Sequence, residues 1–190
     1  MKLVLFGGVQ GVGKTTLLSW CENQFKSRIT LLNPGELFRW YFYDEKIKTT
    51  EEIEELVVSE LEKMPDNATA VLHWHYAVSR PSGFIPQISF SRLKRIAESG
   101  RIEQVVLLVL EASPDSIYER RLKDYQGKKR ELSISVICEE LRADEEFFTK
   151  EQALFTQALG GKSVSTVRLA NADVDAAKAA LCEFFKALLR

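Results

Sequence analysis

Short apolar runs alternate along this chain with longer segments of helical period. We interpret these runs as strands at residues 2–6, near 28–32, at 68–72, at 104–110 and near 163–169. Strands of a parallel sheet read as continuous apolar runs because helices cover both faces of the sheet. The pattern therefore predicts an α/β fold with five parallel strands and with helices in the gaps between them.

Two of the intervening segments show their helical period clearly. In the acid-rich segment 50–63 the apolar stripe comprises Ile53, Leu56, Val57 and Leu61. In segment 173–190 the stripe comprises Val174, Ala177, Leu181, Phe184 and Leu188. Apolar residues at this spacing form the face of a helix that packs on a core. We expect both helices to bury that face and to expose the charged one.

Length, composition and charge limit the classes of protein. A chain of 190 residues with 45% hydrophobic and 28% charged residues suits one packed domain, residues 1–190. Its 26 basic residues nearly balance its 27 acidic ones, so no overall positive charge attracts nucleic acid, which is an unlikely partner. The apolar start at residues 3–6 is too short for a signal peptide or a membrane span. We therefore expect a cytoplasmic protein with no membrane partner.

The strongest chemical signal is the segment GVQGVGKT at residues 8–15, which matches G-x-x-x-x-G-K-[ST] in full. It follows the first predicted strand and precedes a helix predicted at 15–25, which is the context that a phosphate-binding loop (P-loop) requires. In such a loop, backbone N–H groups and the N-terminus of the helix converge on phosphate. The segment therefore predicts binding of ATP or a similar nucleoside triphosphate.

The positions of this loop have expected tasks. Lys14 reaches the β- and γ-phosphates as a catalytic group, and the Thr15 hydroxyl is the expected Mg²⁺ ligand. The predicted nucleotide-binding residues are Gly8, Gly11, Val12, Gly13, Lys14, Thr15 and Thr16. ATP and Mg²⁺ are thus the expected cofactors. A GTPase is not expected, because the late segment 169–173 lacks the lysine of an N-K-x-D loop that reads guanine.

Three further segments resemble adenylate kinases. Residues 33–39, NPGELFR, are similar to the T-G-D-x-L-R segment of that family, whose arginine holds the phosphate of the acceptor nucleotide. Residues 73–86, HWHYAVSRPSGFIP, resemble the archaeal type, which has D-T-H followed by P-x-G-Y-L-P at this spacing. Residues 111–122, EASPDSIYERRL, also look like that family, so the resemblance covers nearly the whole chain.

The resemblance implies a P-loop three-layer sandwich and a Mg²⁺-dependent transfer of the ATP γ-phosphoryl group to a nucleoside monophosphate. By position, Gly35, Arg39 and Arg80 are the residues expected to bind the acceptor. An ionised acceptor phosphate is already a nucleophile, so alignment and charge neutralisation suffice without a general base. The expected partners are a nucleoside triphosphate and a small phosphorylated acceptor, and the sequence leaves the oligomeric state open.

One position departs from the adenylate kinase pattern. That family places an aspartate just after the third strand to hold the shell of the magnesium ion through water, and this chain has His73 there. Glu111, at the end of the fourth predicted strand, is the expected replacement as a metal ligand, since strand ends gather at the site in α/β folds. We expect structural roles for His73 and His75 and core packing for Trp74 and Tyr76.

A basic cluster follows the fourth predicted strand. It comprises Arg120, Arg121, Lys123, Lys128, Lys129 and Arg130, around Gly127. The cluster resembles the lid of adenylate kinases and predicts a short lid at residues 121–132. Basic groups that close on the transferred phosphoryl group neutralise its charge and exclude water. Arg121 and Arg130 are therefore the expected catalytic arginines.

Two other activities remain open from the residues alone. A kinase acting on a hydroxyl of another small molecule or of a nucleic-acid end would need a base near the γ-phosphate. The absence of the aspartate at position 73 counts against that activity. A regulatory ATPase, which binds ATP without transferring phosphate, is compatible with the same substitution.

Overall fold

The computed structural model describes residues 1–125 and 131–190. Its strands are β1 (Lys2–Gly7), β2 (Thr30–Leu32), β3 (Thr69–His73), β4 (Val78–Arg80), β5 (Gly83–Ile85), β6 (Gln104–Glu111) and β7 (Val164–Ala170). Its α-helices are α1 (Lys14–Phe25), α2 (Pro34–Phe38), α3 (Thr50–Lys63), α4 (Phe90–Glu98), α5 (Pro114–Lys123), α6 (Ile134–Leu159) and α7 (Val174–Leu188). A π-helical turn spans Arg39–Asp44, and 3₁₀ turns span Lys26–Arg28 and Gly161–Ser163.

Five of the strands form one parallel sheet in the order β2-β3-β1-β6-β7. The central strand β1 pairs with β3 on one side and with β6 on the other. Nearly all of its side chains are buried, as both faces of the sheet are covered. The predicted five-stranded parallel sheet is confirmed, with ends that differ by one or two residues from those predicted. The fold is the P-loop three-layer sandwich.

Two hydrophobic cores lie on the two faces of the sheet. Leu3 and Leu5 of β1 pack in the core formed with α3, α4 and most of α6, whereas Val4 and Phe6 pack in the core formed with α1 and α7. This alternation follows from the two-residue period of a strand. The two helical layers therefore hold the strand ends, and the loops that follow them, in place.

The C-terminal helix α7 buries a slightly different stripe from the one predicted. Phe185 lies in the core in place of Phe184, and Val174 in the first turn is largely exposed, while the other three stripe residues are buried. Phe185 follows Leu181 by four positions and Ala177 by eight, so it continues their row on the helix surface. In α3 the predicted stripe is confirmed at Ile53, Val57 and Leu61.

The sequence patterns did not reveal the hairpin β4–β5, which is antiparallel and separate from the main sheet. Each of its strands has three residues, and none of them is fully buried, so no apolar pattern marks it. Within the described residues, none of the helices combines the length and apolar character that crossing a membrane requires.

Candidate active site

The P-loop joins β1 to the first turn of α1. The helix begins at Lys14, its N-cap Gly13 makes no side-chain capping bond, and its first turn contains no acidic residue. The first N–H groups of a helix have no partners within it, and the helix dipole adds partial positive charge at the same end. The start of α1 can therefore bind the oxygens of an anion such as phosphate.

Gly13 occupies a position that only glycine fits. Its φ is 106°, and a Cβ there would lie 2.3 Å from Nδ2 of Asn171. That amide donates to the Val12 carbonyl at 2.7 Å, and Arg120 donates to the same carbonyl at 2.9 Å. Val12 is itself fully buried. The loop is thus fixed from behind by the segment after β7 and by α5.

The Lys14 side chain folds back onto its own loop. Its buried ammonium donates to the carbonyl of Gly8 and, at 3.0 Å, to that of Val9. It also lies 3.4 Å from Nδ1 of His75. An ammonium group can only donate, so Nδ1 accepts and a neutral His75 carries its proton on Nε2. Lys14 is held by acceptors that phosphate oxygens can replace.

Two cavities open at the carboxyl ends of the strands. The P-loop cavity, of about 670 Å³, lies over Gly11, Gly13, Lys14, Thr16, Arg120 and Asn171. The hairpin cavity, of about 550 Å³, lies between α2, the π-helical turn and β4, and its lining includes Asn33, Gly35, Asp44, Val78, Arg80 and Gln87. Each volume falls in the range of small-molecule sites.

The two cavities share a wall. It is formed by Gln10, Thr15, Arg39, His73 and His75, which line both cavities. The rings of His73 and His75 stack with centroids 6.0 Å apart. These histidines were expected to be structural, but they lie on the wall because β3 ends at His73 and the chain there faces the cleft. Molecules bound in the two cavities would meet across this wall.

The three residues predicted to bind an acceptor come together in the hairpin cavity. Gly35 lies in α2, Arg39 begins the π-helical turn and Arg80 ends β4, and all three line this cavity. Gln87 lies beside them and accepts the backbone N–H of His75 at 2.7 Å. The hairpin that sequence reasoning missed is therefore the element that brings Arg80 to the cavity.

Arg121 lies behind the P-loop and lines neither cavity, unlike the place expected for it in a lid. It belongs to α5 and is 1% exposed. Its Nη2 donates to the Gln10 carbonyl at 2.9 Å, and its guanidinium pairs with Glu140 of α6. On α5 the neighbouring Arg120 and Lys123 face the P-loop cavity instead, because positions three apart share a helix face. Arg121 thus ties the P-loop to α5 and α6.

Gly127, Lys128, Lys129 and Arg130 of the predicted lid lie outside the described residues. The predicted catalytic role of Arg130 stays a prediction.

Glu111 ends β6, the fourth predicted strand, but its side chain is directed away from the cavities. Its carboxylate pairs with Arg168 of the neighbouring strand β7, Oε1 to Nη1 at 2.7 Å, and it lines neither cavity. The placement does not fit a metal ligand, because the carboxylate is drawn across the sheet to the guanidinium.

Of the two predicted metal ligands, Thr15 alone lies in the cavities. In residues 1–125 and 131–190 no three His, Cys, Asp or Glu side chains converge on a common point for an ion. Mg²⁺ at phosphate sites takes one or two protein ligands, together with water and phosphate oxygens. Thr15 therefore fits an ion that enters with a nucleotide.

Buried acids of α6 support the segment after β3. Asp144 accepts the backbone N–H of Ala77 at 3.3 Å, and Glu151 accepts Nε1–H of Trp74 at 3.0 Å. Trp74 and Tyr76 are completely buried, which confirms their predicted core packing. Sequence reasoning missed both acids, because an acid in a long polar helix is usually on the solvated face.

Burial changes the titration of both acids. Burial raises the pKa of Asp144 to about 6, and the Lys14 ammonium opposes this shift. Burial also raises the pKa of Glu151 well above its usual range, although the bond from Trp74 favours the charged form. A charge on Asp144 therefore interacts electrostatically with the Lys14 ammonium group.

Comparisons with known proteins agree with this geometry. The family described as AAA domain matches residues 7–137, which include the P-loop and the described lining of the hairpin cavity. The chain is 23% identical over 186 residues to the adenylate kinase of Saccharolobus solfataricus, covering 88% of this chain and 90% of that protein. Adenylate kinase of Pyrococcus abyssi is 22% identical over 138 residues, covering 64% and 65%. The resemblance to adenylate kinases indicated by the sequence motifs is confirmed.

Proposed function

The chain belongs to the AAA-domain family, and from that premise we propose that it is a nucleotide kinase. It transfers the γ-phosphoryl group of ATP to a nucleoside monophosphate. The shared wall between the two cavities is the observation that carries this function. An ATPase needs one cavity for its nucleotide, whereas a phosphotransferase needs two that meet where the phosphoryl group passes.

The P-loop cavity is the proposed ATP site. The N–H groups at the start of α1 bind phosphate oxygens, and Lys14 exchanges its contacts with the Gly8 and Val9 carbonyls for the β- and γ-phosphates. Thr15 would hold Mg²⁺ that enters with ATP, and the ion supplies neutralising charge on the phosphates. Arg120 and Lys123 add positive charge on the α5 side of the same cavity.

The hairpin cavity is the proposed acceptor site. Arg80 lines this cavity only, whereas Arg39 lies on the shared wall and faces both sites. A guanidinium can bind two phosphate oxygens at once, which fixes orientation as well as position. Arg39 therefore aligns the acceptor phosphate with the γ-phosphate, and Arg80 holds the acceptor from the far side.

The decisive experiment measures ADP release from ATP and Mg²⁺, alone and with each of AMP, GMP, CMP and UMP. We expect one monophosphate to stimulate ATP consumption strongly and one molecule of its diphosphate to form for each ATP consumed, which for AMP means two ADP per ATP. Lys14→Ala should remove most of this transfer, since the transferred charge loses its ammonium partner. ADP release that no monophosphate stimulates, without any diphosphate product, would reject the kinase function.

Arg39→Ala tests the acceptor site itself. We expect it to raise the KM of the monophosphate by roughly ten-fold or more, as for loss of a charge-assisted hydrogen bond, and to lower kcat. Arg142→Ala is the matched control, because Arg142 is an exposed arginine of α6 that lines neither cavity. Equal effects of the two variants would contradict the role of Arg39.

A second candidate function is phosphoryl transfer to a hydroxyl group. It is favoured by the carboxylates of Glu36 and Asp44, which line the hairpin cavity and could accept the proton of an acceptor hydroxyl there. Parallel assays with adenosine, cytidine, guanosine and uridine as acceptors distinguish the two functions. A diphosphate formed from a monophosphate supports the first function, and a monophosphate formed from a nucleoside supports the second.

A further inference from the structure

Arg80 is held against two aromatic rings at the edge of the hairpin cavity. Its Cζ lies 5.8 Å from the ring centroid of Phe42 and 5.6 Å from that of Tyr43. Its Nη1 also donates to the Tyr43 hydroxyl. The two rings meet edge to face, with centroids 5.1 Å apart and planes at 87°. The guanidinium is thus fixed by three contacts that all come from one short segment.

These contacts join two separate walls of the cavity. Arg80 belongs to the hairpin, and its aromatic partners belong to the π-helical turn Arg39–Asp44. A π-helix bonds residue i to i+5, is rare, and is frequent at functional sites. Here it brings Arg39, Tyr43 and Asp44 to the cavity lining, while Phe42 lies outside the lining and is 36% exposed.

Holding an arginine in advance increases its value for binding phosphate. An unrestrained arginine loses much rotamer freedom when it binds an oxyanion. Contact with two aromatic rings and with a phenol oxygen removes part of that freedom before the ligand arrives. Preorganisation of this kind increases affinity without adding any contact to the ligand.

We propose that Phe42 and Tyr43 are positioning residues that hold the Arg80 guanidinium toward the phosphate of the acceptor. The inference rests on the proposed function, in which Arg80 binds that phosphate. Phe42 is the more informative of the two, because it does not line the cavity itself and contacts the lining through Arg80 and through the Tyr43 ring. Tyr43 lines the cavity itself.

The kinetic test compares Phe42→Leu with Trp40→Leu, a control in the same turn whose ring is 56% exposed and lines neither cavity. KM and kcat are measured with ATP and each of AMP, GMP, CMP and UMP. We expect Phe42→Leu to raise the acceptor KM about two- to five-fold, as for loss of an exposed cation–π contact. The KM of ATP should not change, and Trp40→Leu should change neither value. An equal rise in the KM of the acceptor and the KM of ATP, or equal effects of Phe42→Leu and Trp40→Leu, would overturn the proposal.

An Arg80→Met background separates action through Arg80 from direct contact with the acceptor. If the rings act by holding the guanidinium, Phe42→Leu and Tyr43→Phe should have no further effect on the acceptor KM in that background. Effects of undiminished size would show that the rings act independently of Arg80 and would overturn the proposal.

A measurement without turnover tests the contact itself. In ¹H–¹⁵N spectra, the Nε–H signal of Arg80, identified by its loss in Arg80→Met, should be shifted by the ring currents of the two aromatic rings. Tyr43→Leu and Phe42→Leu should each move it, whereas Trp40→Leu should leave it in place. Transfer activity with an unmoved Arg80 signal would overturn the positioning role alone. Absence of transfer to every monophosphate in the unaltered protein would overturn the proposed function and, with it, the acceptor role of Arg80.

Discussion

Replacement of Gly7 by alanine should destabilise the fold at the base of the site. Gly7 ends β1, and a Cβ on it would lie 2.0 Å from Cε2 of Tyr76 and 2.6 and 2.7 Å from two other atoms of that ring. Carbon atoms in contact are about 3.5–4.0 Å apart. The ring or the strand would therefore have to move by about 1.5 Å to reach an ordinary contact distance.

The Tyr76 ring has little room to move. It is completely buried, its hydroxyl lies 3.1 Å from the carbonyl oxygens of both Leu5 and Leu108, and it packs edge to face on Phe148 with centroids 5.1 Å apart. Overpacking a core costs about 1–3 kcal/mol, and a lost hydrogen bond adds about 1 kcal/mol. We therefore expect Gly7→Ala to lower the free energy of unfolding by about 2–4 kcal/mol.

Urea unfolding followed by tryptophan fluorescence measures this loss. Gly100→Ala is the control, because Gly100 has a φ of 73° and nothing lies within 4 Å of its added Cβ. It should cost only the left-handed backbone strain, about 1 kcal/mol. In a Tyr76→Leu background, which removes the ring, Gly7→Ala should cost much less than in the unaltered protein. An equal cost with and without the ring would refute the reasoning.

Three further changes have expected outcomes. Arg121→Met should lower the free energy of unfolding by about 3 kcal/mol, since it leaves Glu140 and a P-loop carbonyl without their partner. Its kcat per folded molecule should stay within about two-fold, and a hundred-fold loss in folded protein would show a catalytic role. Because the folded-state pKa of Asp144 is raised from 3.8 to about 6, the folded state binds its proton more tightly, and stability from this group falls as pH rises from about 4 to about 6. Asp144→Asn keeps an acceptor oxygen and should abolish this fall in the free energy of unfolding, which is on the order of 2–3 kcal/mol. Urea unfolding at several pH values measures the effect, and an unchanged dependence of the unfolding free energy on pH would contradict this role of Asp144. His73→Asp should lower the Mg²⁺ concentration for half-maximal transfer several-fold, because it places a hard oxygen ligand on the shared wall. An unaltered dependence of transfer on Mg²⁺ concentration would show that position 73 does not face the ion.

Much of the scaffold followed from local patterns. Continuous apolar runs located β1, β3 and β6, because a parallel strand covered on both faces is apolar along its whole length. The other two strands, β2 and β7, are mostly not buried, and their runs are less regular. The P-loop could be located because all the residues that define its conformation are contiguous, at positions 8–15. Most of them line the P-loop cavity. The segments holding Gly35, Arg39 and Arg80 were located by motif, and all three residues line the hairpin cavity.

Other features could not be read from the sequence, for identifiable reasons. The exposed three-residue strands of the hairpin have no periodic signal, so the element that carries Arg80 went unseen. Asp144 and Glu151 were not identified, because nothing in the sequence of α6 shows that their face meets the segment after β3. The π-helical turn, which carries Phe42 and Tyr43, has no sequence signature at all.

The sequence by itself determined which chemistry the chain carries: a phosphate loop, a lysine and a threonine in register, and arginines after the strands. Tertiary structure alone decided which side chains reach the cavities. Arg120 faces the P-loop cavity and Arg121 is buried against Glu140, although the two are adjacent in the chain. Consecutive side chains on a helix point about 100° apart, so Arg120 can face the cavity while Arg121 packs in the core. Glu111 was likewise drawn to Arg168, a residue 57 positions away, because pairing across a sheet depends on strand register and not on distance along the chain.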